Sequence, residues 1–183
     1  MRSLRNLGRQ PAALPVFADD LLEFHAARLL LLFKVCGTAG RIDGLTKMAK
    51  LDFFVRYPEF FQQVRRYLGK GSAIGPDLPR ESSMIRFHYG PWDPRYYHIL
   101  AYLEAKGLLE VEREASTYVL RLSDAGKGIA GRLERAPAFA RIAAHMGEVK
   151  KILGGKAGST LKDLVYKVFA EEVADKRMGE VIV

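Results

Sequence analysis

Residues 83–107, SMIRFHYGPWDPRYYHILAYLEAKG, run directly into 108–128, LLEVEREASTYVLRLSDAGKG, and the two stretches together decide the fold. Asp93 suits a helix N-cap, and Pro94 suits the first helical position, where a missing N–H loses no hydrogen bond. Tyr96, Ile99, Leu100 and Leu103 then recur at helical spacing, so one stripe is buried while Arg95, His98, Tyr102 and Lys106 turn outward. Gly107 closes the helix. Beyond it Leu109 and Val111 alternate with Glu110, Glu112 and Glu114. Tyr118, Leu120 and Leu122 likewise alternate with Thr117, Val119 and Arg121, which is the period of two half-buried strands turning near Ala115 and Ser116. Ser123 offers an oxygen to cap a following helix from about Asp124 to Glu134. Helix, hairpin and helix in that order predict a mainly α fold with a small β wing: a winged helix-turn-helix with additional N- and C-terminal helices.

Working outward, 20–37 is apolar on nearly every face, as in a helix at the centre of a core or a subunit interface. Residues 45–56 predict a second helix, broken at Tyr57-Pro58 before a third, EFFQQVRRYL, that ends at Gly69. The Gly-, Pro- and Ser-rich stretch 69–83 predicts an inserted loop. After Pro137 come PAFARIAAHMGEVKKIL, a Gly-rich joint at 154–159, and a last helix from Ser159 or Thr160. That helix carries Leu161, Leu164, Val165, Val168 and Phe169 along one side, a stripe expected to meet the first helix or a partner protein. The expected organisation is a basic arm at 1–18, a winged-helix domain at 19–135 and a C-terminal helical extension at 136–183.

The 183 residues carry a formal net charge of +8, which favours a polyanionic partner such as double-stranded DNA. The densest positive charge lies between Lys47 and Lys70, so Lys47, Lys50, Arg56, Arg65 and Arg66 join Arg95, His98, Tyr102 and Lys106 as DNA-binding candidates. Against groove readout stand the zero formal charge of the Asp93–Lys106 helix and the carboxylates of the wing. Glu110, Glu112 and Glu114, with the apolar stripe of the last helix, are therefore candidates for a protein interface. The aromatic group Phe87, Tyr89, Trp92, Tyr96 and Tyr97 reads as core beside the capped helix rather than as a base-stacking platform.

Other classes fall away. No apolar run approaches the ~20 residues of a membrane span, and Arg28 and Lys34 interrupt the greasiest segment. The opening MRSLRNLGRQ lacks the apolar centre of a secretory signal, and the single cysteine, Cys36, suits a reducing cytoplasm. His25, His88, His98 and His145 show no metal-ligand spacing. Gly126-Lys127-Gly128 lacks the rest of a phosphate loop, and no nucleophile elbow is present. No catalytic, metal or cofactor site is expected.

Two stretches are more distinctive than a generic winged helix: GLTKMAKLDFFVRYPEFF at 44–61 and SSMIRFHYGPWDPRYYHILAYLEAKGLLEV at 82–111. They resemble the middle components of bacterial ABC-three-component systems, whose relatives include the accessory subunit of Lamassu-type antiphage defence. GSTLKDLVYKVF at 158–169 resembles the closing segment of that family. The resemblance implies a small non-enzymatic subunit that binds an SMC-like ABC ATPase and connects it to a separate effector. It carries over no functional residue. The competing expectation, from the fold pattern alone, is a free-standing transcription regulator of the MarR or PadR type, dimeric and reading a two-fold DNA site.

Overall fold

The computed structural model describes residues 18–71 and 81–182, and the expected basic arm up to 17 and the centre of the expected loop, 72–80, lie outside the described residues. The chain is mainly helical with two small antiparallel sheets. Helix α1 (Leu22–Cys36) leads through a three-residue strand β1 (Arg41–Asp43) into α2 (Leu45–Arg56). Tyr57-Pro58 breaks α2, as expected, because proline cannot continue a helix from within, and α3 (Pro58–Tyr67) starts with that proline in its first turn. A hairpin of β2 (Ile85–Phe87) and β3 (Gly90–Trp92) precedes α4 (Tyr96–Ala105).

Then come β4 (Leu109–Glu114), β5 (Thr117–Leu122) and α5 (Asp124–Arg135). β1 adds to the β4–β5 hairpin, so the three strands lie in the order β1-β5-β4, with Ile42 opposite Leu120 and Val111 opposite Leu120 from the other side. The turn falls where expected, with Glu114 facing Thr117 across Ala115 and Ser116. Ser123 Oγ accepts from Gly126 N at 3.0 Å and caps α5. Gly126 itself is required by close approach, since a Cβ there would lie 2.0 Å from the Leu108 carbonyl oxygen. Gly107 adopts φ +66°, the left-handed conformation that ends α4.

The last part of the chain is α6 (Ala140–Val149), a π-helical turn (Lys150–Gly154), α7 (Gly158–Val168) and a second π-helical turn (Ala170–Ala174). This stretch, expected as an extension, shares one core with everything before it. Buried side chains run continuously from Ala26 to Ile182. α1 is enclosed by α4, α5 and α6, which accounts for its apolar surface. α7 packs on α2 and α3. Phe169 stands edge-on to Phe60, ring centroids 4.9 Å apart, and 6.3 Å from Phe53. The chain then returns to β2, where Ile182 N donates to Met84 O and Arg86 N donates to Glu180 O, at 2.8 and 2.7 Å. Among the described residues no helix is long and apolar enough to cross a membrane.

The fate of the last helix corrects the expectation of a partner-binding stripe. Leu161, Val165 and Phe169 are fully buried and Leu164 nearly so, all within this chain. Only Val168 keeps part of its surface. The phenylalanines of α2 and α3 supply the apolar cover that the stripe requires.

Candidate functional site

The solvent face of α4 is assembled as its periodicity predicts. Tyr96, Ile99, Leu100 and Leu103 are buried, His98 and Lys106 are exposed, and Tyr102 is half-buried under the Lys106 ammonium, 5.5 Å from its ring centre. Beside α4 a shallow groove of about 170 Å³ is lined by Leu45, Tyr97, Ala101, Glu104, Val111 and Tyr118. Tyr97 and Tyr118 expose 58% and 42% of their surface there. Glu110, Glu112 and Glu114 are exposed on the opposite face of β4, and Glu114 reaches Arg41 at 3.5 Å. The surface that would approach a nucleic acid is thus aromatic on one side and acidic on the other.

The cations expected to make a DNA-binding face are dispersed, which corrects two of the candidates outright. Lys50 and Arg56 are each 1% exposed and point into the protein. Arg65 is held by Glu148 at 3.0 Å, while Lys47 is partly exposed and Arg66 exposed. Arg95 turns back over the start of α4, with Nη2 2.7 Å from Asp93 Oδ2 and Nη1 2.7 Å from His25 Nε2. Its guanidinium shapes the protein's own interior rather than standing free for a base edge.

Behind α4 lies the arrangement that the sequence concealed, a cluster of three guanidiniums and three carboxylates: Arg28, Arg56 and Arg95 with Asp52, Asp93 and Glu81. Arg28 donates to both oxygens of Asp52, at 3.0 and 3.2 Å. Arg56 donates to Asp93 at 2.7 Å and to the Ser82 carbonyl. Tyr96 donates its phenolic proton to Asp52 at 2.7 Å. The cluster therefore pins α1, α2, the segment at 81–82 and the N-terminus of α4 to one another. Burial works against the charge on Arg28 and Arg56, yet Asp52 and Glu81 outweigh it and hold both guanidiniums more firmly protonated than usual. Burial also opposes the Asp93 carboxylate, and the hydrogen bonds from Arg95 and the charge of Arg56 overcome it, leaving Asp93 well below the ordinary carboxylate range. Charges so balanced and hydrogen-bonded specify geometry.

Lys50 differs from all of these. Its ammonium donates to the Pro91 carbonyl at 2.9 Å and meets no carboxylate among the described residues, so burial pushes it down to about 7. The aromatic group is only half core. Trp92 and Tyr96 are buried and Phe87 half-buried, but Tyr89 and Tyr97 project at 58% exposure each, correcting the expectation that all five pack inside. Cys36 is buried with Sγ 3.4 Å from the Met146 carbonyl oxygen, and its thiol is pushed up to about 12 by burial. Among the described residues no three His, Cys, Asp or Glu side chains are grouped to hold a metal ion.

Comparison of the chain with protein-family models, with curated proteins and with solved structures returned no match.

Proposed function

We propose that this chain is a non-enzymatic winged helix-turn-helix subunit of a bacterial, cytoplasmic antiphage defence complex, joining an SMC-like ABC ATPase to a separate effector. The connectivity supports the winged-helix reading: α1, β1, α2, then α4 followed by the β4–β5 wing, with sheet order β1-β5-β4. α3 and the β2–β3 hairpin are then an insertion ahead of the recognition-helix position. The motifs at 44–61, 82–111 and 158–169 support the choice of complex.

The observation that carries a protein partner over DNA readout is the character of the α4–wing surface. Tyrosine with its amphipathic ring is enriched at protein interfaces, and Tyr97 and Tyr118 stand exposed there beside Ala101 and Val111. Carboxylates at 104, 110, 112 and 114 repel phosphates, and Lys50 and Arg56 are too deep to offset them. Contact with DNA then falls to Lys47, Arg66 and the outer edge of α4 at His98 and Lys106, in a backbone-tracking role.

Tagged capture of the protein from its native cells, with and without nuclease, followed by mass spectrometry, tests this. The expected result is nuclease-resistant recovery of an SMC-like ATPase, reduced at least tenfold by Tyr97→Ala together with Tyr118→Ala, since buried interface tyrosines are worth about 2 kcal/mol or more. Recovery of the protein alone, with DNA released by nuclease, would overturn it in favour of a MarR- or PadR-type regulator.

A further inference from the structure

Between the β2–β3 hairpin and the turn of the wing lies a cavity of about 330 Å³ that shares Tyr97 and Tyr118 with the proposed partner surface but reaches inward to Trp92 and Lys50. One wall is Trp92, with Phe87 stacked on it at 5.7 Å and 28° and Tyr97 beside it at 5.4 Å. Tyr89 and Tyr118, both partly exposed, line it together with Thr46, Ser116 and Thr117. Lys50 lines it too, and is 1% exposed.

An ammonium has three N–H donors. Among the described residues Lys50 uses one, on the Pro91 carbonyl. A buried cation without a counter-charge is costly, and an anion at this floor removes that cost. The lysine stem packs beside Gly90, whose φ of +97° favours glycine and where a Cβ would stand at ordinary contact distance, 3.5 Å, from Lys50 Cε. Lys50 is the one buried ammonium in the lining, and a single such charge suits a compact monoanion better than a heavily hydrated phosphate. The aromatic walls select a flat ring, and the volume sits at the small end of ligand pockets.

We propose that this cavity is a binding site for a planar aromatic carboxylate, its ring against Trp92 and Tyr97 and its carboxylate accepting a hydrogen bond from Lys50. The ligand supplies the counter-charge that Lys50 does not find among the described residues. Although Tyr97 and Tyr118 are common to the site and the proposed partner surface, the site is tested on the purified chain, so its failure and that of the defence-complex reading are distinguishable.

Trp92 is the only tryptophan, so its emission reports occupancy. Benzoate is expected to quench it saturably, benzyl alcohol, which has the ring without the charge, is not, and Lys50→Met, an apolar replacement of similar length, is expected to abolish the benzoate response while keeping a cooperative melt. Tyr97→Ala, at an exposed position that does not threaten folding, should weaken binding severalfold. With the Lys50 ammonium at about 7, the protonated fraction falls between pH 6 and pH 8.5, so binding weakens by about thirtyfold. The other titratable groups around the cavity are His88 and the phenols of Tyr89, Tyr97 and Tyr118, while Val165 and Val173 close the Gly90 side. His88→Gln should leave the pH profile in place. The proposal is overturned if benzoate gives no saturable quenching up to about 10 mM, tenfold above a millimolar Kd. Equal binding of benzyl alcohol, retention of benzoate binding by Lys50→Met, or displacement of benzoate by inorganic phosphate at equal concentration overturns it as well.

Discussion

Lys50 shows how one residue inverts the meaning of its neighbourhood. In sequence it belongs to a run of cations, and in space it lies beneath the β2–β3 hairpin with a backbone carbonyl for company. Its folded value of about 7 lies below the ordinary lysine value of 10.5, so between those limits the unfolded chain binds more protons than the folded one. Stability should therefore rise with pH across that window, and the penalty for the buried charge is complete below pH 7. Lys50→Met is expected to be more stable than the parent at pH 6, with the difference shrinking toward pH 10 in urea melts. A constant difference would contradict the assignment. A second residue-scale test concerns Ala115, which sits in the wing turn at φ +54°. Alanine is strained there and glycine is not, so Ala115→Gly should stabilise the protein by about 0.5–1 kcal/mol in the same assay. The burial of Lys50 is not legible in the sequence, because its neighbours are some 40 residues away, and although the turn at Ala115 was, its positive φ was not, since the usual Asn-Gly signal is missing.

At the scale of elements, what was legible was local. α4, the β4–β5 hairpin and the Ser123 cap are all specified by residues within a few positions of one another, and the hairpin and the cap fall where read. α4, however, begins at Tyr96 with Arg95 as its N-cap rather than at Pro94 after Asp93, and on β5 Val119 is buried and Tyr118 exposed, the reverse of the alternation read there. β1 is three residues long, too short to show a period, and becomes a strand only because β5 lies beside it. The β2–β3 hairpin hides behind burial, since Gly90, Pro91 and Trp92 are all inside and leave no alternation to detect. The ionic cluster is the device by which α4 is held to α1 and α2, and Asp52 is its centre, accepting from Arg28 and Tyr96. Removing one member strands the others without solvent. Asp52→Asn is expected to cost about 3–5 kcal/mol by chemical denaturation, and a loss below 1 kcal/mol would show that the cluster relaxes to water.

For the whole molecule, the apolar stripe at 161–169 was visible and its destination was not, because a stripe states that cover is needed without naming what provides it. Its cover is the phenylalanine group of α2 and α3. Phe169→Ala should therefore cost about 3–5 kcal/mol, the range for emptying an aromatic site in a packed core, and should shift the single transition of the entire chain to lower denaturant with its slope unchanged rather than release its last helix alone. A two-step transition, with the C-terminal segment leaving first, would argue for separable units.

The return of residues 179–182 to the edge of β2 bears on how the molecule is born. Synthesis delivers α2 and α3 first, with their aromatic faces bare, and the side chains that cover them emerge about 100 residues later. A nascent chain can pair β4 with β5 at once but cannot seal its interior until residues 161–182 have emerged. Closure of the core thus waits for that segment, and during the interval the phenylalanines of 53–61 are the natural landing place for a holding chaperone.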